Sequence, residues 1–194
     1  MNRSFAVAIL AFAALLCCAA QPPAEDDQIT VKELVIKGGD ALSSSQVREA
    51  KDSVEGKTGT MENLMDTARH SLTSSLKSDC YLAPDVELLA GYPKDSPNGV
   101  VMYATVKDGL RYTLRNFRVD WDKSIPTAEI ERALPLDAMR RGDCRGLDDV
   151  ENTVAQLYRR QGYSDAKVHA LIQPSGATRT FDLTLYVDEG TRSR

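Results

Sequence analysis

The chain is poor in aromatic residues and has no excess of positive charge. Aromatic side chains make up 6% of its 194 residues, and 24 Lys and Arg face 28 Asp and Glu, giving a formal net charge of −4. Nucleic-acid-binding domains normally present a basic surface to phosphates and aromatic rings to unpaired bases. We therefore expect no nucleic-acid partner.

Residues that carry out chemistry are also scarce. The two histidines, His70 and His169, and the four cysteines of the chain show no spacing typical of metal ligands. No pair of carboxylates and no nucleophile beside a base stands out among the acidic residues. We therefore expect no catalytic site, no metal site and no cofactor, and a protein that is not an enzyme.

The apolar run at residues 5–18 is too short to cross a membrane as a helix. Its helical length would be roughly 21 Å, whereas the hydrocarbon core of a bilayer is roughly 30 Å thick. Arg3 precedes the run and Ala19-Ala20 follow it, an arrangement typical of a secretory signal. We predict a signal peptide at 1–20, a flexible N-terminal segment at 21–28, and export of the mature chain.

Two ways of processing this signal stay open. Signal peptidase would cut after Ala20, whereas a lipoprotein peptidase would cut before Cys18, which would then carry a lipid. The residue before an acylated cysteine is ordinarily small, and Cys17 stands there instead. Association with a membrane, through a lipid on Cys18 or through a partner, therefore stays open as well.

Removal of the signal leaves Cys80 and Cys144 as the cysteines of the mature chain. An oxidising compartment lets a disulfide between them persist, and two free buried thiols are the alternative. A reactive thiol is disfavoured because neither histidine has a recognisable relation to either cysteine. A bond would require the two α-carbons to approach within about 7 Å.

An internal repeat organises the rest of the chain. Residues 30–37 (TVKELVIK) and 112–120 (YTLRNFRVD) both alternate apolar and polar positions, as strands do. Each is followed by two amphipathic helical patterns and then by a strand hairpin that ends in an acidic residue and glycine. The apolar positions of the helices are Leu64, Ala68, Leu72 and Leu76 in the first copy and Val150, Val154 and Leu157 in the second.

This pattern predicts an α+β fold made of two tandem β-α-α-β-β units. Each unit is expected to be a three-stranded mixed sheet with two helices on one face. The units are placed at 29–109 and 110–190, followed by a C-terminal tail at 191–194. Gly162-Tyr163 and Cys80-Tyr81 occupy equivalent positions, and we expect Gly162 to end its helix in a left-handed conformation. The single tryptophan, Trp121, is expected to pack rather than to anchor a partner.

The second copy resembles the POTRA (polypeptide-transport-associated) family. The resemblance lies in YRRQGYSDAKVHALIQP and FDLTLYVDEG and extends over 112–190. The first copy is similar but weaker, because Cys80 stands where the family has glycine. Since four residues follow Gly190, we expect these units without the outer-membrane β-barrel to which the family is usually attached.

The resemblance implies a periplasmic, or otherwise exported, non-catalytic module. It would bind other polypeptides, such as outer-membrane β-barrel proteins or their assembly machine. Binding would occur by β-augmentation, in which an edge strand pairs with an extended segment of the client. The resemblance places the second strand of each unit at the sheet margin. The candidate residues are Val86, Glu87, Leu88, Leu89 and Ala90, and Val168, His169, Ala170, Leu171 and Ile172. The alternative is a structural scaffold subunit of an envelope complex.

Overall fold

The structure, a computed structural model, describes residues 28–96, 98–121 and 124–192. The predicted signal peptide and the lipidation at Cys18 lie outside the described residues. The first unit contains β1 (Ile29–Gly38), α1 (Ser44–Val54), β2 (Thr58–Gly59), α2 (Met61–Ser78), β3 (Asp85–Gly91) and β4 (Gly99–Lys107). The second contains β5 (Thr113–Asp120), α3 (Thr127–Ala133), α4 (Leu136–Arg140), α5 (Val150–Arg160), β6 (Lys167–Ser175) and β7 (Thr180–Asp188).

Each unit has a mixed sheet, which confirms the predicted α+β class. The first sheet has the order β2-β1-β4-β3 and the second the order β5-β7-β6. In the first sheet β1 runs parallel to β4, and β4 pairs antiparallel with β3. In the second sheet β5 runs parallel to β7, and β7 pairs antiparallel with β6. The two-residue strand β2 adds a short fourth strand to the first sheet. We keep 29–109 and 110–190 as the proposed bounds of the units.

The repeat extends to the irregularities of the strands. The pairing of β1 with β4 shifts register between Val31 and Glu33. The pairing of β5 with β7 shifts between Leu114 and Asn116, each 83 residues further along the chain. A bulge changes which side chains face the core, so its recurrence shows that both units use the same local geometry to aim their first strand.

The first core forms where the helices cover one face of the sheet. The four predicted positions of α2 are all buried, together with Val31 and Leu34 of β1. Fully burying a leucine side chain contributes about 1.5–3 kcal/mol, so this stripe is a main source of stability for the first unit. Helix α1 begins with a capping box in which the Ser43 side chain accepts from the Gln46 N–H and the Gln46 side chain accepts from the Ser43 N–H.

The second unit has three helices where the sequence pattern indicated two. Helix α4 forms in the segment between α3 and α5 because Leu136 and Met139, one turn apart, both turn into the core. In α5 the buried stripe contains Val150, Val154 and Tyr158. Leu157, the predicted member of that stripe, is only partly buried against the core.

The helices α2 and α5 end in the same kind of turn. Gly162 has φ +96°, as expected for a left-handed helix end, and the Tyr163 N–H donates to the Tyr158 carbonyl at 3.1 Å. At the equivalent point Cys80 has φ +64°, and the Tyr81 N–H donates to the Leu76 carbonyl at 3.0 Å. A side chain in this conformation is disfavoured by roughly 1 kcal/mol relative to glycine, so Cys80 must gain an interaction that glycine cannot make.

That interaction is a disulfide between the units. Cys80 and Cys144 are bonded, with their α-carbons 5.1 Å apart. Both cysteines are buried, and Cys80 packs in the core of the second unit although it follows the last helix turn of the first. The Cys144 N–H donates to the Ser78 carbonyl at 2.8 Å, and the Tyr112 N–H donates to the Cys80 carbonyl at 2.9 Å. The junction is therefore held by covalent and backbone contacts together.

Arg111 adds a side-chain clamp to the same junction. Its Nε donates to the Asp79 carbonyl at 3.0 Å, and its second guanidinium nitrogen donates to the Gly142 carbonyl at 2.7 Å. Asp79 belongs to the end of α2 and Gly142 to the loop after α4, so one guanidinium contacts both units. The few residues between β4 and β5 hence act as a short, fixed connection.

We predict that replacing both cysteines, Cys80→Ala with Cys144→Ala, lowers the free energy of unfolding. The bond joins positions 64 residues apart, and the loop-entropy model assigns such a bond about 4 kcal/mol. Chemical denaturation of the oxidised protein and of the double variant measures the difference. A reducing agent should destabilise the wild type by a similar amount and leave the variant unaffected. Two alkylatable thiols in the unreduced mature protein would contradict the bond.

Candidate functional site at the sheet edges

Strands β3 and β6 each lie at the margin of a sheet. The first contains the candidate residues 86–90 and the second the candidate residues 168–172. Over these candidate residues the side chains alternate, with even-numbered residues half-buried and odd-numbered residues facing solvent. Whether a client binds at either margin stays a prediction.

The backbone of β3 is open toward solvent. The Gly39 N–H donates to the Val106 carbonyl at 3.2 Å, so the peptide groups of Val106 face β1. Val106 is paired with Val86. In an antiparallel ladder the peptide groups of two opposite residues either both point toward the partner strand or both point away from it. The N–H and C=O groups of Val86, and of Leu88 and Ala90 further along, therefore point outward, where they can pair with an added strand.

The equivalent edge of β6 is partly covered. The Ala170 N–H, which points away from β7, donates to the Glu151 carboxylate of α5 at 2.7 Å. The His169 Nδ1 lies 3.4 Å from the same carboxylate oxygen. Four residues after Ala170, Pro174 has no N–H to offer an added strand. A client strand could extend along β6 only by displacing Glu151.

The solvent face of the first sheet carries an apolar row next to its open edge. Leu89 of β3, Tyr103 of β4 and Val35 of β1 are directly paired across the strands. Leu89 is 70% exposed and Tyr103 is 42% exposed. A side chain at Gly91 would place its Cβ 3.0 Å from Tyr103 Cε2, so the tyrosine ring lies over this glycine.

Two carboxylates of β3, those of Asp85 and Glu87, lie beside this row. The Lys107 ammonium donates to Asp85 at 2.9 Å and lies 3.6 Å from Glu87. The hydrogen bond to Asp85, and then the charges of Asp85 and Glu87, raise the pKa of Lys107 above its ordinary value. All three side chains are more than half exposed, so this cluster remains accessible to a partner.

A cavity of about 380 Å³ lies where the two units meet. Leu82 of the first unit and Leu147 and Ile172 of the second contribute apolar walls, and Cys144 of the disulfide lines it too. Pro174, near the end of β6, lines the cavity as well. It depends on the fixed junction, because its walls come from both units.

Features of other kinds of site are missing from the described ranges 28–96, 98–121 and 124–192. No group of three or more His, Cys, Asp or Glu residues within them could hold a metal ion. In the same ranges, no helix is both long enough and apolar enough to cross a bilayer.

Comparison with known proteins relates the second unit to a family. The family model of POTRA, described as a surface antigen variable number repeat, matches residues 112–190. Residues 112–190 belong to the POTRA family. The match contains all of β5, β6 and β7 and the three helices of the second unit.

Solved structures extend the likeness to both units. The structure resembles POTRA3-5 of BamA from Haemophilus influenzae, with a TM-score of 0.65 and 24% identity, over 88% of this chain and 70% of that one. It also resembles BamA from Haemophilus ducreyi lacking POTRA domains 1–3, with a TM-score of 0.63 and 12% identity, over 84% of this chain and 29% of that one.

A third resemblance is to POTRA1-3 of the periplasmic domain of Omp85 from Anabaena. The TM-score is 0.51 at 16% identity, and the match covers 86% of this chain and 63% of that one. Each of these likenesses covers more of the chain than the family model does, so the first unit shares the POTRA fold. The chain spans less than two thirds of the second and third of these structures.

Three features of the two units could not be predicted from the sequence. The contact of Glu151 with Ala170 could not be predicted, because the helix dipole alone accounts for an acidic residue in the first turn of a helix. The apolar row could not be predicted, because Val35, Leu89 and Tyr103 come from three different strands. Trp121, which was expected to pack, is 71% exposed, and its ring lies tilted against that of Tyr186 with ring centroids 4.9 Å apart. It lies just past β5, where one neighbouring ring is too little to bury an indole.

We predict that Glu151→Ala uncovers the edge of the second POTRA unit. Loss of the Ala170–Glu151 hydrogen bond should speed hydrogen exchange of the Ala170 amide about fivefold, as expected for a contribution near 1 kcal/mol. NMR-detected exchange measures it. Glu151→Gln keeps an acceptor and should show a smaller effect. The Leu171 amide, which faces β7, serves as the internal control, and an unchanged rate at Ala170 would contradict the contact.

Proposed function

We propose that the protein is a non-catalytic polypeptide-binding module that acts in outer-membrane protein assembly or transport. The observation that carries the proposal is the open backbone of β3, where Val86, Leu88 and Ala90 turn their peptide groups outward beside an exposed leucine. The POTRA fold of both units supports the same role, since the similar structures belong to BamA and Omp85. Clients are extended segments of outer-membrane proteins or of their assembly machine.

Binding takes place by β-augmentation, with the client as an additional strand beside β3. An added strand pairs its own N–H and C=O groups with those of Val86, Leu88 and Ala90, so recognition needs few particular side chains. Strand β6 offers the second edge, but Glu151 and Pro174 make pairing there harder. The first unit is therefore the principal docking unit.

The periplasm is the proposed compartment. The disulfide between Cys80 and Cys144 is of the kind that persists in exported proteins. The similar structure from Anabaena is a periplasmic domain, and the N-terminal apolar run of this sequence has the arrangement of a secretory signal. Attachment to the outer membrane, through a lipid on Cys18 or through a partner, belongs to the same proposal.

A second candidate function is that of a scaffold subunit in an envelope complex. The junction favours it, because a disulfide and the Arg111 clamp hold the two units at a fixed relation. A scaffold keeps one constant partner, whereas a client-binding module exchanges many. Crosslinking in the native envelope identifies what is bound, and an excess of extended peptide should displace a client but not a fixed subunit.

We predict that Ala90→Pro weakens the binding of extended peptides about tenfold, because proline removes one outward N–H and obstructs the neighbouring strand. The ladder to β4 does not use this N–H, so the unfolding temperature should change little. Fluorescence anisotropy with a labelled peptide of alternating apolar and polar residues measures binding.

Ala170→Pro is the matched control for this variant. It makes the same replacement on the covered edge and should leave peptide affinity unchanged. A wild-type protein that binds no extended peptide would overturn the proposed function. Loss of binding in Ala170→Pro but not in Ala90→Pro would move the docking edge to β6.

A further inference from the structure

The apolar row of the first sheet ends abruptly at its margin. Tyr103 has a neighbour in the row on both sides, Leu89 and Val35, whereas Leu89 has Tyr103 on one side and solvent on the other. A residue on an added strand directly opposite Leu89 would cover its free side. Burial of an exposed leucine is favourable in proportion to the apolar area removed from water.

The charges beside the row are unbalanced. Asp85 and Glu87 together carry two negative charges at neutral pH, and Lys107 supplies one positive charge between them. The Glu87 carboxylate lies 3.6 Å from the Lys107 ammonium, further than that of Asp85, and the Glu87 side chain is 66% exposed. Lys37 is separated from it by Thr105 and two strand spacings, roughly 10 Å. The margin therefore favours a cation at the level of Glu87.

Strand geometry links the two features. Glu87 and Leu89 are two positions apart and face the same side of the sheet, and residues two apart on an added strand also share one side. Since this inference rests on the polypeptide binding proposed above, it concerns which polypeptides bind. We propose that β3 selects extended segments in which a large apolar residue opposite Leu89 is two positions from a lysine or arginine opposite Glu87.

The second unit lacks this combination. At the positions equivalent to Glu87 and Leu89 it has His169 and Leu171, and Leu171 is only 36% exposed. The row there continues from Leu171 to Thr184 and Arg118, so it is neither apolar nor acidic. The two edges of one fold thus differ in chemistry as well as in access.

Synthetic peptides test the selection. Each has ten residues of alternating character, with a central leucine and a lysine two positions away on either side, so that both strand directions present the same pattern. One comparison peptide replaces the lysines with glutamate, and another replaces the leucine with serine. Against the oxidised full chain at low ionic strength, we expect each replacement to weaken binding about five- to tenfold. Salt should reduce the effect of the lysines more than that of the leucine.

Protein variants locate the effect. Leu89→Thr keeps a residue suited to strands and should weaken the leucine–lysine peptide about fivefold. Leu171→Thr makes the same change at the equivalent position of the second unit and should have no effect. Glu87→Lys should weaken the lysine peptide and strengthen the glutamate peptide, a reversal that a general loss of folding cannot produce.

Each outcome separates this inference from the proposed function. Equal affinity for the lysine and glutamate peptides, or no change in Leu89→Thr, would overturn the selection while leaving polypeptide binding intact. A stronger effect of Leu171→Thr than of Leu89→Thr would overturn the assignment to β3. Failure of every extended peptide to bind would overturn the proposed function and the selection with it.

Discussion

The disulfide between Cys80 and Cys144 is the constraint on which the arrangement of the two units depends. It joins the end of α2 to the loop before α5, and around it lie the hydrogen bonds of Ser78, Tyr112 and Arg111. Because Cys80 packs in the core of the second unit, the last turn of α2 is part of both units. The cavity lined by Leu82 and Ile172 lies beside this bond, with walls from both units.

The same fold is used twice here, with two different treatments of the edge strand. An unpaired edge is a hazard because it can pair with any extended chain, and proteins commonly cover it with charge or proline. The second unit does so with Glu151 and Pro174. The first unit leaves the outward peptide groups of β3 open and sets Leu89 beside them. The contrast between an edge that one unit covers and the same edge left open in its repeat supports the proposal that β3 binds polypeptides.

Much of this architecture could be predicted from periodicity. The alternation in β1 and β5, the four-residue spacing in α2 and the repeat offset of 83 are local patterns, so they gave the strands, the main helices and the duplication. Helix α4 was missed because its two buried residues, Leu136 and Met139, are too few to show a period. The choice between a disulfide and two free thiols stayed open because it depends on a distance between units.

The features of the edge strands could not be predicted from the sequence. The contact of Glu151 with Ala170 joins a helix to a strand 19 residues later, and the row of Val35, Tyr103 and Leu89 requires the register of three strands. Neither leaves a periodic trace. The alternation of β3 and β6 could show which side chains face solvent, but not which peptide groups remain unpaired. The unpaired peptide groups of β3 follow from the hydrogen bond between Gly39 and Val106, which fixes the direction in which the peptide groups of β4 point.

The left-handed turn at Cys80 links the fold to its compartment. At the equivalent point of the second unit glycine adopts positive φ freely, whereas cysteine there is disfavoured by roughly 1 kcal/mol. A disulfide across 64 residues contributes about 4 kcal/mol, so cysteine stabilises the turn only while the bond is formed. In a reducing compartment the unbonded cysteine would be worse than glycine. The residue at position 80 is therefore suited to an oxidising environment, where it converts an ordinary helix end into the joint between two units.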